Sequence, residues 1–390
     1  MIESMNLNTL GYDAIVIHYG EVTLKRGKRG VFERILMNNL KRAVGLPVKR
    51  LQGRYVIELT SETKLDEVLP KIGKVFGVVW YAPAIKTNSL EELEDRLAKM
   101  LEMEGLNRIK IETRRSDKRF PMTSLEVSKR IGKYLSSNLG LKIDLKNPEK
   151  RILIEITEDG IYASLQKLRG PGGLPIGSSG KVLGLFSGGV FSAIACWYMM
   201  KRGCMVDLLH VSDGEFFQTE GYTLLNKLLE YSLECKLYLV PSTPFIEFSR
   251  EIQENLRRYA FKFYLLKLGE EVAKRGHCLG LVWGHSAILG IRKLEEFCVV
   301  TRMRSLPSYA PLLSIDESEL IRRASSLGMQ EQLHLTRMDQ PIPSPRELEK
   351  IWRKSELNEA VRRSLESVEV FRLRRGGEVK RIWPKPGKGS

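Results

Sequence analysis

Four short apolar runs alternate with helical segments in the second half of this 390-residue sequence. The runs are KVLGLF (181–186), MVDLLHV (205–211), KLYLVP (236–241) and HCLGLVWG (277–284), and the helical segments include AIACWYMM and a long one that ends at Arg275. Apolar strands that alternate with helices are typical of a doubly wound parallel sheet. We therefore expect an α/β domain in this half of the chain.

The first eighty-odd residues predict a small ferredoxin-like α+β unit. Periodicity favours strands at 12–20, 53–59 and 78–86 and helices at 31–44 and 65–77, with Gly77 ending the second helix.

A second α+β unit is expected over about residues 88–168. Ser89 is placed to cap a helix over 89–102, and a second capped helix is expected at 123–140. Strands are expected at 108–115 and in the two closing segments RILIEIT and IYASLQKL.

The stretch GPGGLPIGSSGK (170–181) is dense in Gly, Pro and Ser and predicts an interdomain linker. Further helices are expected at 316–328 and near 345–366. The basic end RLRRGGEVKRIWPKPGKGS (372–390) predicts either phosphate contacts around Trp383 or a disordered tail.

The charge of the chain is strongly positive, with 63 Lys and Arg against 47 Asp and Glu, a net charge of +16. A polyanionic partner is the natural interpretation, and the alternative is the charge-rich surface of a heat-adapted protein. The N-terminal residues lack a basic region followed by an apolar core, and no run approaches the length of a membrane span. We expect a cytoplasmic protein without a membrane partner.

The cysteines predict neither a disulfide framework nor a zinc site. There are five of them, they form no CxxC pair, and most lie in apolar segments, so free buried thiols are expected at Cys196, Cys204, Cys235, Cys278 and Cys298. Cys298 is expected in the core of a strand. The five histidines have no ligand spacing, so we expect no metal held by protein ligands alone.

The turn after the first apolar run has the composition of a phosphate-binding loop. Gly188 and Gly189 permit positive φ or close backbone approach, and Ser187 and Ser192 supply hydroxyl groups. At the carboxyl end of a parallel strand, such a turn leaves backbone N–H groups and a helix N-terminus to hold phosphate oxygens. A plain tight turn is the alternative interpretation.

Three stretches together resemble the tRNA 4-thiouridine synthetase (tRNA sulfurtransferase) family. They are HYGEVTLKRGKRGVFERILMNNL (18–40), RRSDKRFPMTS (114–124) and GGLPIGSSGKVLGLFSGG (172–189). The resemblance implies a ferredoxin-like domain at 1–87, a THUMP RNA-binding domain at 88–169, a linker at 170–181, a PP-loop pyrophosphatase (adenine nucleotide alpha hydrolase-like) domain at 182–345, and a C-terminal helix and basic tail at 346–390.

Members of that family adenylate a uridine of tRNA, usually uridine 8, with ATP and then replace the activated oxygen with persulfide sulfur. The resemblance therefore implies ATP and Mg²⁺ as cofactors if the pocket is functional, because the charge that develops on the phosphates must be neutralised. It also implies tRNA as a partner, a sulfur-donor protein as a possible second one, and a possible homodimer.

The candidate nucleotide site departs from the family pattern at several positions. Phe191 stands where the family loop SGGxDS has its Asp, and a benzyl group cannot help to organise a cation. In WGHSAILGIRKLEEF (283–297), His285 replaces a carboxylate and Lys293 replaces a glutamine, while Gly284 and Ser286 match the family. Where the family has a pair of arginines in the long helix, this sequence has Lys262 and Phe263.

With these departures, the resemblance implies a degenerate nucleotide-binding set and no assigned catalytic residue. Its members are Leu185, Phe186, Ser187, Gly188, Gly189, Phe191, Ser192, His210, Gly284, His285 and Lys293.

The cysteine that transfers sulfur in the family is missing from the matching segment of this sequence. That segment, LHLTRMDQPIPSPRE (333–347), contains no cysteine, and no rhodanese-sized extension follows in the sequence. Met338 and Ser344 cannot replace a thiolate, since neither carries a low-pKa thiol. The nearest cysteine in the sequence, Cys298, is the alternative candidate for a displaced sulfur carrier.

Two basic clusters fall in the motifs that resemble the RNA-facing part of the family. Phosphate contacts and one stacking ring are expected there, and a solvated basic loop is the alternative. The predicted RNA-binding residues are Lys25, Arg26, Lys28, Arg29, Arg114, Arg115, Lys118, Arg119 and Phe120.

Three hypotheses follow for the function. The chain could be a working tRNA thiolation enzyme with an unusual site, a tRNA-binding relative whose nucleotide pocket has decayed or been repurposed, or a PP-loop enzyme that adenylates without transferring sulfur. The missing cysteine argues against the first and the altered loop against the third. We therefore expect a tRNA-binding protein, with an active ATP-dependent tRNA sulfurtransferase that takes sulfur from a partner as the alternative.

Overall fold

The computed structural model describes residues 11–21, 27–290, 292–333 and 342–383. The chain divides into two compact units, Met1–Pro175 and Ile176–Ser390, and the division falls within the predicted linker. No helix in these ranges is both long enough and apolar enough to span a bilayer.

The first unit is one mixed sheet with helices. Its strands are β1 (Ala14–Tyr19), β2 (Lys49–Leu51), β3 (Arg54–Glu58), β4 (Val78–Thr87), β5 (Arg108–Arg115), β6 (Lys142–Ile143), β7 (Lys150–Thr157), β8 (Gly160–Ser164) and β9 (Leu168–Arg169). Its helices are α1 (Arg29–Val44), α2 (Leu65–Ile72), α3 (Leu90–Glu102) and α4 (Ser124–Leu139). The strand order is β2-β3-β1-β4-β8-β7-β5-β6, and β9 pairs with β4.

The long strand β4 belongs to both predicted α+β units. Residues 78–84 pair with β1, and residues 85–87 pair with β8. The ferredoxin-like part and the second part therefore share one continuous sheet.

The predicted helix starts of the second part are confirmed. The Ser89 hydroxyl caps α3 by accepting from the Glu92 N–H at 3.1 Å. Thr123 and Glu126 form a reciprocal capping box at the start of α4. The predicted end of α2 at Gly77 is wrong, because the helix ends at Ile72 and Gly77 lies in the turn before β4 with φ +102°.

Backbone hydrogen bonds fix both ends of the glycine-rich segment after β9. The N–H groups of Gly170 and Gly172 donate to Val79 and Val78 of β4 at 2.9 and 2.8 Å. A Cβ on Gly170 would lie 2.3 Å from the Val78 carbonyl oxygen, so this position requires glycine. Further along, the N–H groups of Gly177 and Ser179 both donate to the Gly203 carbonyl.

The second unit is a twisted sheet with helices around a central apolar core. Its strands are β10 (Lys181–Leu185), β11 (Met205–Ser212), β12 (Glu234–Pro241), β13 (Leu281–Val282), β14 (Ser308–Tyr309), β15 (Glu369–Arg374) and β16 (Glu378–Trp383). Its helices are α5 (Val190–Lys201), α6 (Glu220–Ser232), α7 (Thr243–Ser249), α8 (Glu254–Arg275), α9 (Lys293–Thr301), α10 (Glu317–Ser326), α11 (Pro345–Trp352) and α12 (Ser355–Glu366).

The predicted doubly wound parallel sheet is confirmed for β10 to β14, with the order β14-β13-β10-β11-β12. The hairpin β15–β16 then extends the sheet in an antiparallel direction beyond β12. Residues 372–383 are therefore part of the sheet and not a disordered tail. The helix expected near 345–366 is two helices, α11 and α12.

The strand assignment of Cys298 is also wrong. Cys298 lies on helix α9 and is exposed, whereas the other four cysteines are buried as predicted. Its segment EEFCVV is apolar enough to resemble a strand, but Glu296 and Val300 form the buried face of a helix.

Candidate nucleotide pocket and nucleic-acid surface

The glycine-rich turn after β10 has the backbone of a phosphate-binding loop. Gly188 adopts φ +81°, which favours glycine, and Gly189 begins helix α5 without a side chain to cap it. Leu185 and Phe186 at the end of the strand are buried, so the turn starts from a fixed position. The first-turn N–H groups of α5 and its positive dipole end are suited to an anion.

Two serine hydroxyl groups hold this turn together. The Ser187 N–H donates to the Ser192 hydroxyl at 3.2 Å, and that hydroxyl donates to the Gly189 carbonyl at 2.8 Å. The Ser187 hydroxyl lies 3.1 Å from the Ser192 hydroxyl and accepts from the Gly189 N–H at 3.4 Å. Both hydroxyls therefore stabilise the loop, and Ser187 is also exposed.

His210 reaches the same turn from strand β11. Its Nδ1 lies 2.7 Å from the Phe186 carbonyl oxygen, and its ring packs 4.4 Å from the ring of Phe216. Burial lowers the pKa of His210, although the Phe186 carbonyl opposes that effect. A neutral ring with its hydrogen on Nδ1 donates to the carbonyl and leaves Nε2 as an acceptor.

Phe191 lies in the first turn of α5 between the buried residues Val190 and Ser192. The side chain of Phe191 is only partly buried. The structure therefore does not place its ring wholly inside the sheet–helix core.

The exit of β13 packs directly on the start of α5. A Cβ on Gly284 would lie 2.7 Å from the Ser192 amide nitrogen, so only glycine fits without a shift. The following residue is His285, and the buried Ser286 hydroxyl accepts from the Ile288 N–H at 3.4 Å. His285 is thus brought next to the glycine-rich turn.

A network of charged side chains surrounds His285. Lys262 of α8 forms an ion pair with Glu296 of α9, and Lys293 holds the second oxygen of the same carboxylate at 3.1 Å. The Lys262 ammonium also donates to His285 Nε2 at 3.3 Å. Sequence reasoning missed Glu296, although its spacing of three residues from Lys293 on a helix is a signal for an ion pair.

The pKa values in this network follow from burial and from the two lysines. Burial and the Lys262 charge lower the pKa of His285 to about 3, so its ring is neutral. Burial alone would raise the pKa of Glu296, but Lys262 and Lys293 outweigh it and lower that pKa to about 2. The network therefore contains two cations, one carboxylate and one neutral imidazole.

The glycine-rich turn offers hydrogen-bond donors that suit a phosphate. Within the described ranges, no group of three or more His, Cys, Asp or Glu side chains is placed to hold a metal ion. Backbone N–H groups and serine hydroxyls suit a phosphate, whereas Mg²⁺ prefers oxygen ligands such as the carboxylate that Phe191 lacks.

Four cysteines are unsuited to sulfur transfer. Burial raises the pKa of Cys196 to about 12 and that of Cys278 to about 11, and it also raises the pKa values of Cys204 and Cys235. Met338 lies outside the described residues. Ser344 is the N-cap of α11 and accepts from the Glu347 N–H at 3.3 Å.

The first predicted RNA-binding cluster is only partly described. Lys25 and Arg26 lie outside the described residues, and Lys28 is exposed at the start of α1. Arg29 donates to the buried Glu33 carboxylate at 2.8 Å and is therefore also a structural residue.

The second cluster, at the end of β5, divides into exposed and internal groups. Arg114 and Lys118 are exposed and make no ion pair or hydrogen bond through their side chains to any described residue. Arg115 instead donates to the Phe120 and Met122 carbonyl oxygens at 2.9 and 2.8 Å and braces the loop.

The other two members of the cluster also have internal contacts. Arg119 is exposed and holds the Asp117 carboxylate through two hydrogen bonds of 3.0 Å. The ring of Phe120 packs against the apolar core of its unit, which limits its use as a stacking platform.

Three family models match consecutive parts of the chain. The ThiI ferredoxin-like domain matches residues 14–82, the THUMP domain matches residues 87–166, and the thiamine biosynthesis protein (ThiI) model matches residues 177–340. Together with the glycine-rich loop after β10, these matches define the class as a THUMP-containing PP-loop protein.

Curated relatives match this sequence over most of their length. A probable tRNA sulfurtransferase of Macrococcus caseolyticus is 31% identical, with 81% of this chain and 82% of the relative covered. The probable tRNA sulfurtransferase of Acetivibrio thermocellus is 30% identical, and the match covers 93% of this chain and 99% of that protein. The one of Methanocaldococcus jannaschii is also 30% identical, and the match covers 88% of this chain and 97% of that protein. The chain therefore belongs to the tRNA sulfurtransferase (ThiI) family.

Solved structures support the fold. A 4-thiouridine synthetase, solved in complex with RNA and bound ATP, matches with a TM-score of 0.79 at 22% identity, over 94% of this chain and 99% of that one. PH1313 from Pyrococcus horikoshii matches with a TM-score of 0.64 at 27% identity, over 81% of this chain and 99% of that one.

Proposed function

We propose that this chain is a tRNA-binding member of its family whose nucleotide site does not support thiolation by the chain alone. Its curated relatives are named tRNA sulfurtransferases, and a protein of the same fold binds RNA and ATP. The proposal keeps the RNA ligand of these relatives and departs from them at the nucleotide site.

The charge network at His285 carries the proposal. Where the family resemblance implies a carboxylate and a glutamine, this chain has a neutral imidazole and a lysine, and both are engaged by Lys262 and Glu296. Reaction at an ATP phosphate needs a cation that is held by oxygen ligands. Since Phe191 also removes the loop carboxylate, these residues do not fit a catalytic Mg²⁺ site, and we derive no chemical step through ATP.

The thiol groups support the same proposal. A sulfur carrier must be a thiolate that can reach the activated base. Four cysteines are buried with raised pKa values, and Cys298 projects from the exposed face of α9. The segment that carries the family cysteine has none in this sequence.

RNA binding is supported by the exposed cations of the first unit. Arg114 at the end of β5 and Lys118 in the following loop are exposed and form no ion pair or hydrogen bond with a described residue, so both side chains can reach phosphates. Arg114 also interacts electrostatically with Glu112 and Glu155. Lys28 adds a third exposed cation in the other predicted cluster.

The test is a reconstituted thiolation reaction. The purified chain is incubated with ATP, Mg²⁺, cysteine, a cysteine desulfurase and unmodified tRNA, and 4-thiouridine is followed by its near-ultraviolet absorbance. We expect tRNA binding in a parallel titration and no 4-thiouridine. Formation of 4-thiouridine at catalytic turnover contradicts the proposal.

An active sulfurtransferase that receives sulfur from a partner protein is the second candidate. The retained phosphate-loop geometry favours it, namely the positive φ of Gly188, the uncapped start of α5 and the close packing of Gly284 on Ser192. Equilibrium ATP binding with and without tRNA separates the two candidates. Tight, Mg²⁺-dependent binding supports the active enzyme, and its absence supports the tRNA-binding protein.

A further inference from the structure

Three cations form a row across the edge of the second sheet. In the antiparallel register Lys236 of β12 lies opposite Arg372 of β15, and Arg372 lies opposite Lys380 of β16. Side chains that are directly opposite in an antiparallel pair project from the same face. We call Lys236, Arg372 and Lys380 the cation row.

The cation row is not neutralised by the described part of the chain. None of its three side chains makes an ion pair or hydrogen bond with a described residue. The nearby Asp207 carboxylate is taken by the Lys181 ammonium at 3.2 Å and by the backbone N–H of Lys236 at 3.0 Å.

A neighbouring row across the same three strands has balanced charges. There Arg374 lies opposite Glu234 and Glu378 and pairs with them at 3.5 and 3.2 Å. Like charges directly opposite each other destabilise a sheet, and no described carboxylate forms an ion pair with a side chain of the cation row. This pattern is expected when an external anion neutralises the row.

An exposed aromatic ring lies on the same edge strand. Trp383 of β16 is 57% exposed, and its register partner is Val370. Arg372 and Lys380 are exposed as well. Phosphate-neutralising cations beside an exposed ring are the elements with which proteins hold a single-stranded or looped nucleic acid, because the ring stacks on a base.

We propose that the cation row and Trp383 form a second RNA-contacting surface, located on the second unit. This inference rests on the proposed function for the identity of the ligand. An acidic protein would satisfy the cations as well, but stacking on Trp383 favours RNA because every base offers a flat face to it.

The test measures tRNA affinity at several salt concentrations for the full chain and for Arg372→Gln combined with Lys380→Gln. The matched control is Arg353→Gln combined with Arg362→Gln, which removes two exposed charges, one at the C-cap of α11 and one on α12, that already pair with carboxylates. We expect the cation-row variant to flatten the slope of log K against log salt by about one to two. The control should keep the slope, and equal melting temperatures should show that both variants fold.

A Trp383→Ala variant tests the stacking part. We expect its affinity for tRNA to fall about tenfold with an unchanged salt slope, and Trp383→Phe to keep most of the affinity. Equal effects of the cation-row variant and its control overturn the inference. If Arg114→Gln with Lys118→Gln weakens binding but the cation-row and Trp383 variants do not, this inference fails and the proposed function stands. If the unaltered chain binds unstructured RNA as tightly as tRNA, both this inference and the proposed function fail.

Discussion

Gly284 packs so closely against Ser192 that a methyl group on Gly284 would lie 2.7 Å from the Ser192 amide nitrogen. This contact joins the end of β13 to the first turn of α5. Because of this contact, the charged network at His285 lies next to the glycine-rich turn.

Gly284→Ala should destabilise the second unit by about 1–3 kcal/mol, because the added methyl group must displace backbone atoms of α5. Thermal unfolding measures the effect. Gly189→Ala in the same loop is the control, since its Cβ would meet only the Ser187 hydroxyl, at 3.6 Å. Equal melting temperatures for both variants would mean that the close contact carries no strain.

Lys262→Met should cost about 3–5 kcal/mol, since it leaves the buried Glu296 carboxylate with only one lysine. Arg353→Met breaks an exposed pair with Glu349 and should cost about 0–1 kcal/mol. Urea unfolding compares the two variants. A similar small cost for both would show that the network does not hold Glu296 in place.

Glu296 should make the stability depend on acidity. Its pKa falls from an ordinary 4.5 to about 2 in the folded chain, so its stabilisation is present above about pH 4.5 and is lost as the pH falls toward 2. Unfolding of the chain and of Glu296→Gln is measured across this range. The difference between their free energies of unfolding should shrink on acidification, and a constant difference would refute the lowered pKa.

His285 should remain neutral well below its ordinary pKa of 6.5, since its pKa in the folded chain is about 3. Because folding disfavours the protonated ring, the stability linked to His285 is present above pH 6.5 and is lost as the pH falls from there toward 3. Nitrogen chemical shifts of the imidazole, assigned with His285→Gln, report the protonation state. A cationic ring at pH 5.5 would contradict this prediction.

Phe191→Asp should fold with a melting temperature close to that of the parent chain. The ring is only partly buried, and a carboxylate in the first turn of α5 interacts favourably with the helix dipole. Mg²⁺-dependent ATP binding should rise, measured by calorimetry against Phe191→Ala, while tRNA thiolation should stay absent for lack of a cysteine. Thiolation by the Phe191→Asp variant would show that the missing carboxylate was the sole defect.

Much of the fold was predictable because its signals are local. The caps at Ser89 and Thr123 and the apolar strands β10 to β12 are read from neighbouring residues alone. The hairpin β15–β16 was missed because its alternating basic and apolar residues resemble a solvated tail. The long-range pairing of β15 with β12 makes it part of the sheet.

The candidate site was less predictable, because its electrostatics depend on distant partners. Lys262 and Glu296 are 34 residues apart, and no local pattern joins them. Likewise, the hydrogen bonds of Arg115 to its own loop could not be distinguished in the sequence from a cation that is free to meet a phosphate. Gly188 was identifiable, since its positive φ favours glycine over other residue types.

The sharing of β4 bears on how the first unit folds. Its residues 78–84 complete the ferredoxin-like part, and its residues 85–87 provide the edge on which β8 pairs. A fragment that starts after Thr87 would expose the open edge of β8 to other chains. We therefore expect the two α+β parts, although they are separable as sequence patterns, to unfold together in one transition.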